Sequence, residues 1–137
     1  MKRVYFCTKC HATLNPGTKV ILLVEARSGR GLGLFSGQPG NYDMKLDERV
    51  HLRKGELVCF RCPVCQADLV SDHEPHFAEL GMRMPSGEEG RVEFSRKYGE
   101  QATYFVTRER VRSYGANLAR FPAVNFFGAG GAQGEDD

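Results

Sequence analysis

The residues best suited to chemistry are the cysteines, five in a chain of 137 residues. Cys7-Thr8-Lys9-Cys10 and Cys62-Pro63-Val64-Cys65 share the spacing Cys-x-x-Cys, and the likeness continues past the second sulfur. Both segments read Cys-x-x-Cys-x-Ala-x-Leu and end at Leu14 and Leu69, a short internal repeat. In a metal knuckle, two thiolates on one tight turn aim at the same ion and backbone N–H groups face the sulfurs. A small residue after the second cysteine lets the chain reverse, and the leucine packs beside the site. Two facing knuckles supply four thiolates, which suits a tetrahedral ion with bonds of about 2.3 Å. One Cys-x-x-Cys is a weak signal. Two in a shared frame, with 51 residues between Cys10 and Cys62, point to one shared metal site. The competing use is a redox disulfide, but that motif opens a helix in a βαβ context, and neither pair stands in one.

The paired knuckles, over residues 4–14 and 57–69, resemble the zinc-ribbon superfamily. The resemblance implies one zinc per chain, held by Cys7, Cys10, Cys62 and Cys65. Rubredoxin has similar knuckles and holds iron, so iron is the alternative ion, since four thiolates accept either. The chain departs from rubredoxin in its long insertion, its added C-terminal module and its lack of tryptophan. A four-cysteine set leaves no open position on the ion, and closed zinc sites are structural whereas catalytic zinc keeps a vacancy. Zinc deaminases combine Pro-Cys-x-x-Cys with His-x-Glu; here the proline lies inside the pair, at Pro63, and no His-x-Glu occurs.

Other candidates are weaker. Cys59 could replace a ligand or react as a thiol, but the shared frame selects Cys62, which leaves Cys59 as a small apolar residue on the strand entering the knuckle. His11 reads as a surface imidazole. Asp72-His73-Glu74-Pro75-His76 could bind a second metal or move protons, yet Pro75 breaks any helix that would align the two histidines, so a solvated loop is expected. Gly29, Gly31 and Gly33 suggest a phosphate loop only superficially, because no Gly-Lys-Ser/Thr follows. Arg108, Arg110, Arg112 and Arg120, opposed by Glu109 and interleaved with Tyr114 and Phe121, form a basic stretch that could contact RNA or DNA, a use common among zinc ribbons.

The elements that must position these residues read as mainly β. Asn15-Pro16-Gly17 signals a turn. Lys19–Ala26, rich in Val, Ile and Leu, reads as a core strand. Residues 28–40, with five glycines, read as a loop or flexible hairpin tip in which Leu32, Leu34 and Phe35 could make a short strand. Met44–Leu52 alternates as a half-buried strand, and Leu57–Arg61 leads into the second knuckle. Phe77–Met84 and Arg91–Ser95 form a hairpin, Ala102–Thr107 a third strand. Thr107 then caps a short helix carrying Val111, Tyr114, Leu118 and Phe121. The expected organisation is a zinc-ribbon-like region at 1–71 with inserted strands at 15–58, a β-rich module at 72–121, and a flexible, glycine-rich acidic tail at 122–137. Phe126 and Phe127 in that tail are expected to pack back on their own protein.

Composition fits this size. Small domains bury a lower fraction of their surface and often need a metal. No signal peptide is evident, and the longest apolar run, Val20–Val24, is far short of the roughly 20 residues of a membrane span. A cytoplasmic protein without membrane contact is expected, and in a reducing compartment paired cysteines serve metals more often than disulfides. The net charge of +2 is too small to imply nucleic-acid binding by bulk electrostatics. The expected function is a non-enzymatic zinc-binding protein whose scaffold supports an adaptor or regulatory surface for another protein. The alternatives are a nucleic-acid-associated ribbon and an iron or thiol redox protein.

Overall fold

The structure, a computed structural model, describes residues 3–38, 40–108 and 111–118. The described residues are mainly β and contain no helix. The strands are β1 (Val4–Phe6), β2 (Lys19–Ala26), β3 (Gly29–Ser36), β4 (Met44–Leu46), β5 (Cys59–Arg61), β6 (Phe77–Arg83), β7 (Glu89–Ser95), β8 (Thr103–Thr107) and β9 (Val111–Tyr114). They build two antiparallel sheets. The first has the order β1-β6-β7-β8-β9, and the second, read from β5, has the order β5-β2-β3-β4. Because no helix among them is long and apolar enough to cross a membrane, the described residues hold no helical span.

Alternation along the strands explains the layers. Val20, Leu22 and Val24 of β2 and Leu80 and Met82 of β6 are buried in one cluster, since side chains two apart share a face. These inner faces meet between the sheets. The outer face of the first sheet carries a second cluster made by Phe77, Tyr104, Val106 and Val111.

Three expectations are corrected. The glycine-rich segment is a full strand, β3, paired with β2 at all eight positions from Lys19↔Ser36 to Ala26↔Gly29. Ladder hydrogen bonds need only backbone, and a side chain at Gly33 would not fit: a Cβ there would lie 2.8 Å from the Phe35 ring and 2.9 Å from Val24. The strand starting at Met44 stops at Leu46. Asp47 ends it by accepting the Arg49 N–H on its side chain at 2.8 Å, a side-chain turn that competes with the ladder. The residues from Val111 to Tyr114, expected in a helix, extend the first sheet as β9 against β8. Pairing with an open sheet edge outweighs a helical spacing already weakened by Gly115. The remainder of that segment, with Phe121, and the tail with Phe126 and Phe127 lie outside the described residues.

The two sheets repeat one arrangement of strands and knuckle. β1, the first knuckle, β2, β3 and β4 correspond to β5, the second knuckle, β6, β7 and β8. Tyr5 lies opposite Met82, and its counterpart Phe60 lies opposite Val24. Leu14 accepts from Ile21 N at 2.8 Å, and Leu69 accepts from Glu79 N at 2.7 Å. The arms are exchanged: the strand entering each knuckle pairs with the strand leaving the other. Both sheets are therefore tied to both cysteine pairs.

Candidate metal centre

The two knuckles are built alike, bond for bond. Cys7 N donates to Ala12 O at 3.0 Å and His11 N to Cys7 O at 2.9 Å; Cys62 N donates to Ala67 O at 3.0 Å and Gln66 N to Cys62 O at 2.8 Å. The reversal falls on His11 (φ 65) and Gln66 (φ 63), one residue before the alanine. A side chain in this left-handed region is uncommon, and its recurrence at equivalent positions marks a geometry that each turn requires. Lys9 N and Cys10 N point at the Cys7 sulfur at 3.3 and 3.5 Å. Val64 N and Cys65 N point at the Cys62 sulfur at 3.3 and 3.4 Å. Leu14 and Leu69 are buried beside the turns, each 1% exposed.

The turns face each other. Cys7 Sγ is 3.8 Å from Cys65 Sγ, and Cys10 Sγ is 3.7 Å from Cys62 Sγ. All four sulfurs lie within 4.8 Å of one another, the spread of donors around one tetrahedral ion. This cluster could hold a metal ion. Cys7 and Cys62 are buried and Cys10 and Cys65 reach solvent. Burial pushes the Cys7 thiol up. At Cys10 the Ala12 N–H works downward, but burial and the neighbouring sulfurs prevail and lift the thiol to about 11. The Ala67 N–H holds Cys65 below its ordinary value. Four crowded sulfurs cannot all ionise without a cation, and a bound dication would reverse this balance.

No protein-family model matches the chain, and neither a curated protein nor a solved structure is significantly similar to it.

The remaining expected residues are dispersed. Cys59 sits half-buried on β5 opposite Glu25, outside the sulfur cluster, and burial raises its thiol first, Asp68 second. His11 is exposed, its ring 6.0 Å from Phe6. Arg108 and Arg112 are exposed, while Arg110 and Arg120 lie outside the described residues. The Tyr114 ring, expected as a stacking surface, is edge-on to Phe105 at 5.4 Å.

The loop holding His73 and His76 is not simply solvated. The two imidazoles diverge to different carboxylates. His76 Nε2 lies 2.7 Å from Glu100 Oε1, which also accepts from Ser95 Oγ. Burial works to raise the Glu100 carboxyl, but these two bonds prevail and hold it below its ordinary value. His73 Nδ1 lies 3.4 Å from Glu79 and 3.8 Å from Glu93. The roles of Glu79 and Glu93 had no sequence signal, because they face each other only through the register of β6 and β7. Burial first, and Glu79 second, push the Glu93 carboxyl up to about 8.

Away from the cysteines, the inner faces of the two sheets leave a cavity of about 330 Å³. Val20, Leu22 and Phe35 line it from one sheet, Leu80, Phe94 and Phe105 from the other. Tyr42, from the loop between β3 and β4, lies 2.8 Å from Thr103 Oγ1 and donates to Tyr114 O at 3.0 Å. Tyr5 donates to Gly37 O at 2.7 Å. These phenols fasten that loop across the cavity's edge, and burial pushes Tyr5 up to about 12.

Proposed function

We propose that this protein is a small non-enzymatic module of the zinc-ribbon type, in which one structural zinc fixes a scaffold that binds another protein. The observation that carries the reading is the arrangement of the four sulfurs. They gather from two matching knuckles whose arms are exchanged between the sheets, so an ion there fastens the whole fold. Four thiolates close the coordination of zinc and leave no position for a reacting water. The binding function then belongs elsewhere on the scaffold. The cavity between the sheets fits it best, since its volume falls in the roughly 300–1,000 Å³ range of binding sites and such sites are mostly apolar. An apolar or aromatic side chain of a partner segment is the proposed occupant.

Two measurements test this reading. Freshly purified protein should release one zinc on thiol modification and show no visible colour; iron with strong visible absorption would make the site a redox centre instead. Titration with short peptides carrying an aromatic residue should shift the amide resonances of Tyr42, Phe94 and Phe105 and leave the knuckles unmoved. Shifts confined to other surfaces, or none, would remove the cavity from the proposal.

A further inference from the structure

A second cluster of donor atoms lies on the outer face of the first sheet, where the four cysteines play no part. Glu79 of β6 and Glu93 of β7 are directly opposite one another in the ladder. Like charges in that relation destabilise a sheet, and here burial and Glu79 raise the Glu93 carboxyl, so both acids ionise together only beside an added cation. Arg91 donates from Nε to Glu93 Oε2 at 2.8 Å. The Glu93 side chain is fully buried, 0% exposed, and its Oε1 has no hydrogen-bond partner. Buried polar atoms are nearly always partnered, and an exception costs free energy unless a ligand satisfies it.

The third donor comes from the loop after the second knuckle. His73 Nδ1 lies 3.4 Å from Glu79 Oε1 and 3.8 Å from Glu93 Oε2, and one ligand atom from each residue lies within 4.8 Å of the others. Ser71 holds the loop in place: its Oγ accepts from His73 N at 3.0 Å and from Glu74 N at 3.3 Å. The same Oγ lies 3.5 Å from Glu79 Oε1. The imidazole is thus positioned by backbone bonds rather than by the carboxylates alone.

We propose that His73, Glu79 and Glu93 form a second metal site, which takes a divalent transition ion such as zinc or manganese. One imidazole and two carboxylates match the mixed nitrogen and oxygen preference of these ions. Bonds of about 2.0–2.2 Å are reachable from the observed separations by small side-chain movements. The ion would let the two opposed carboxyls ionise side by side and would neutralise the pair. In contrast to the sulfur cluster, this site is open. Only three protein donors converge, and His73, on the loop side of the cluster, is exposed. A position on the ion is therefore left for water or a small anionic ligand.

The test uses the full chain with its cysteine site already saturated with zinc. After removal of loosely bound metal, manganese is titrated in by calorimetry, and thermal unfolding is followed in parallel. The expected result is one further equivalent bound with a rise in Tm. His73→Ala and Glu79→Gln, whose side chains reach solvent, should each weaken that equivalent by at least about a hundredfold while zinc at the cysteines is retained. Glu93→Gln is measured last, because its side chain is buried. No further equivalent at millimolar manganese, or binding that survives both variants unchanged, overturns the proposal. Since thiol-bound zinc is counted separately, failure here leaves the structural-zinc reading untouched, and the reverse also holds.

Discussion

The two matching halves agree where they face each other and differ where they face outward. Inside, the correspondence is close: Tyr5 with Phe60, Leu14 with Leu69, and Val24 with Met82 hold equivalent ladder and packing positions. Outside, the first sheet buries Phe77, Tyr104, Val106 and Val111 in a cluster of its own. The outer face of the second sheet leaves Leu32 50% and Leu34 38% exposed, beside Leu23 and Ile21 across the ladder. A shared core constrains residues on both sides of it at once, because interiors are close-packed and each inner side chain must fit its counterpart. An outer face has no such obligation. It is free to become a second core with a buried Glu93 in one half and an apolar surface in the other.

The largest expected effect tests whether the halves are equal at the metal. Cys7→Ser and Cys62→Ser should each abolish metal binding, and each should cost most of the folding stability, because metal binding and folding are coupled in such sites. Both sheets should melt together in either variant, as monitored by amide exchange. If Cys62→Ser left β2–β4 protected, the exchanged arms would not link the halves as described.

A smaller effect compares the packing beside the knuckles. Leu14→Ala and Leu69→Ala should each cost about 2–5 kcal/mol in denaturant unfolding, with the two values within about 1 kcal/mol of each other, since both leucines are 1% exposed in equivalent places. A large inequality would show that the sheets share a shape but not a load.

The smallest effect separates the outer faces. Leu32→Ser and Leu34→Ser should each change stability by no more than about 0.5 kcal/mol, whereas Val106→Ala on the opposite outer face should cost about 2 kcal/mol. Equal losses on the two faces would mean that the β3 surface is packed in solution.

The metal-binding cluster was legible because a knuckle is a local device. Cys7 and Cys10, or Cys62 and Cys65, are brought together by a few backbone bonds, and the repeated Cys-x-x-Cys-x-Ala-x-Leu frame records them in order. The β class was legible for a related reason, since the apolar patterns of Lys19–Ala26 and Phe77–Arg83 report their own faces. The glycine-rich β3 misled, because in it the apolar Leu32 and Leu34 point outward and the inner face holds Gly31 and Gly33 beside Phe35. Its strand character comes from partner β2, not from its own side chains. The same holds for β9, whose spacing reads as helical until the edge of β8 is present to pair with it.

What the sequence determined by itself is the set of short-range structures: two cysteine turns, the long strands beside them, and a β-rich composition able to carry them. These rest on contacts within a few residues, so the order of residues is enough. Only the tertiary structure decided that the arms are exchanged, that a cavity remains between the sheets, and that Glu79 and Glu93 meet beneath His73. Those features depend on register between strands far apart in the chain. A shift of one residue would turn every side chain to the other face, and only the assembled sheets fix that choice.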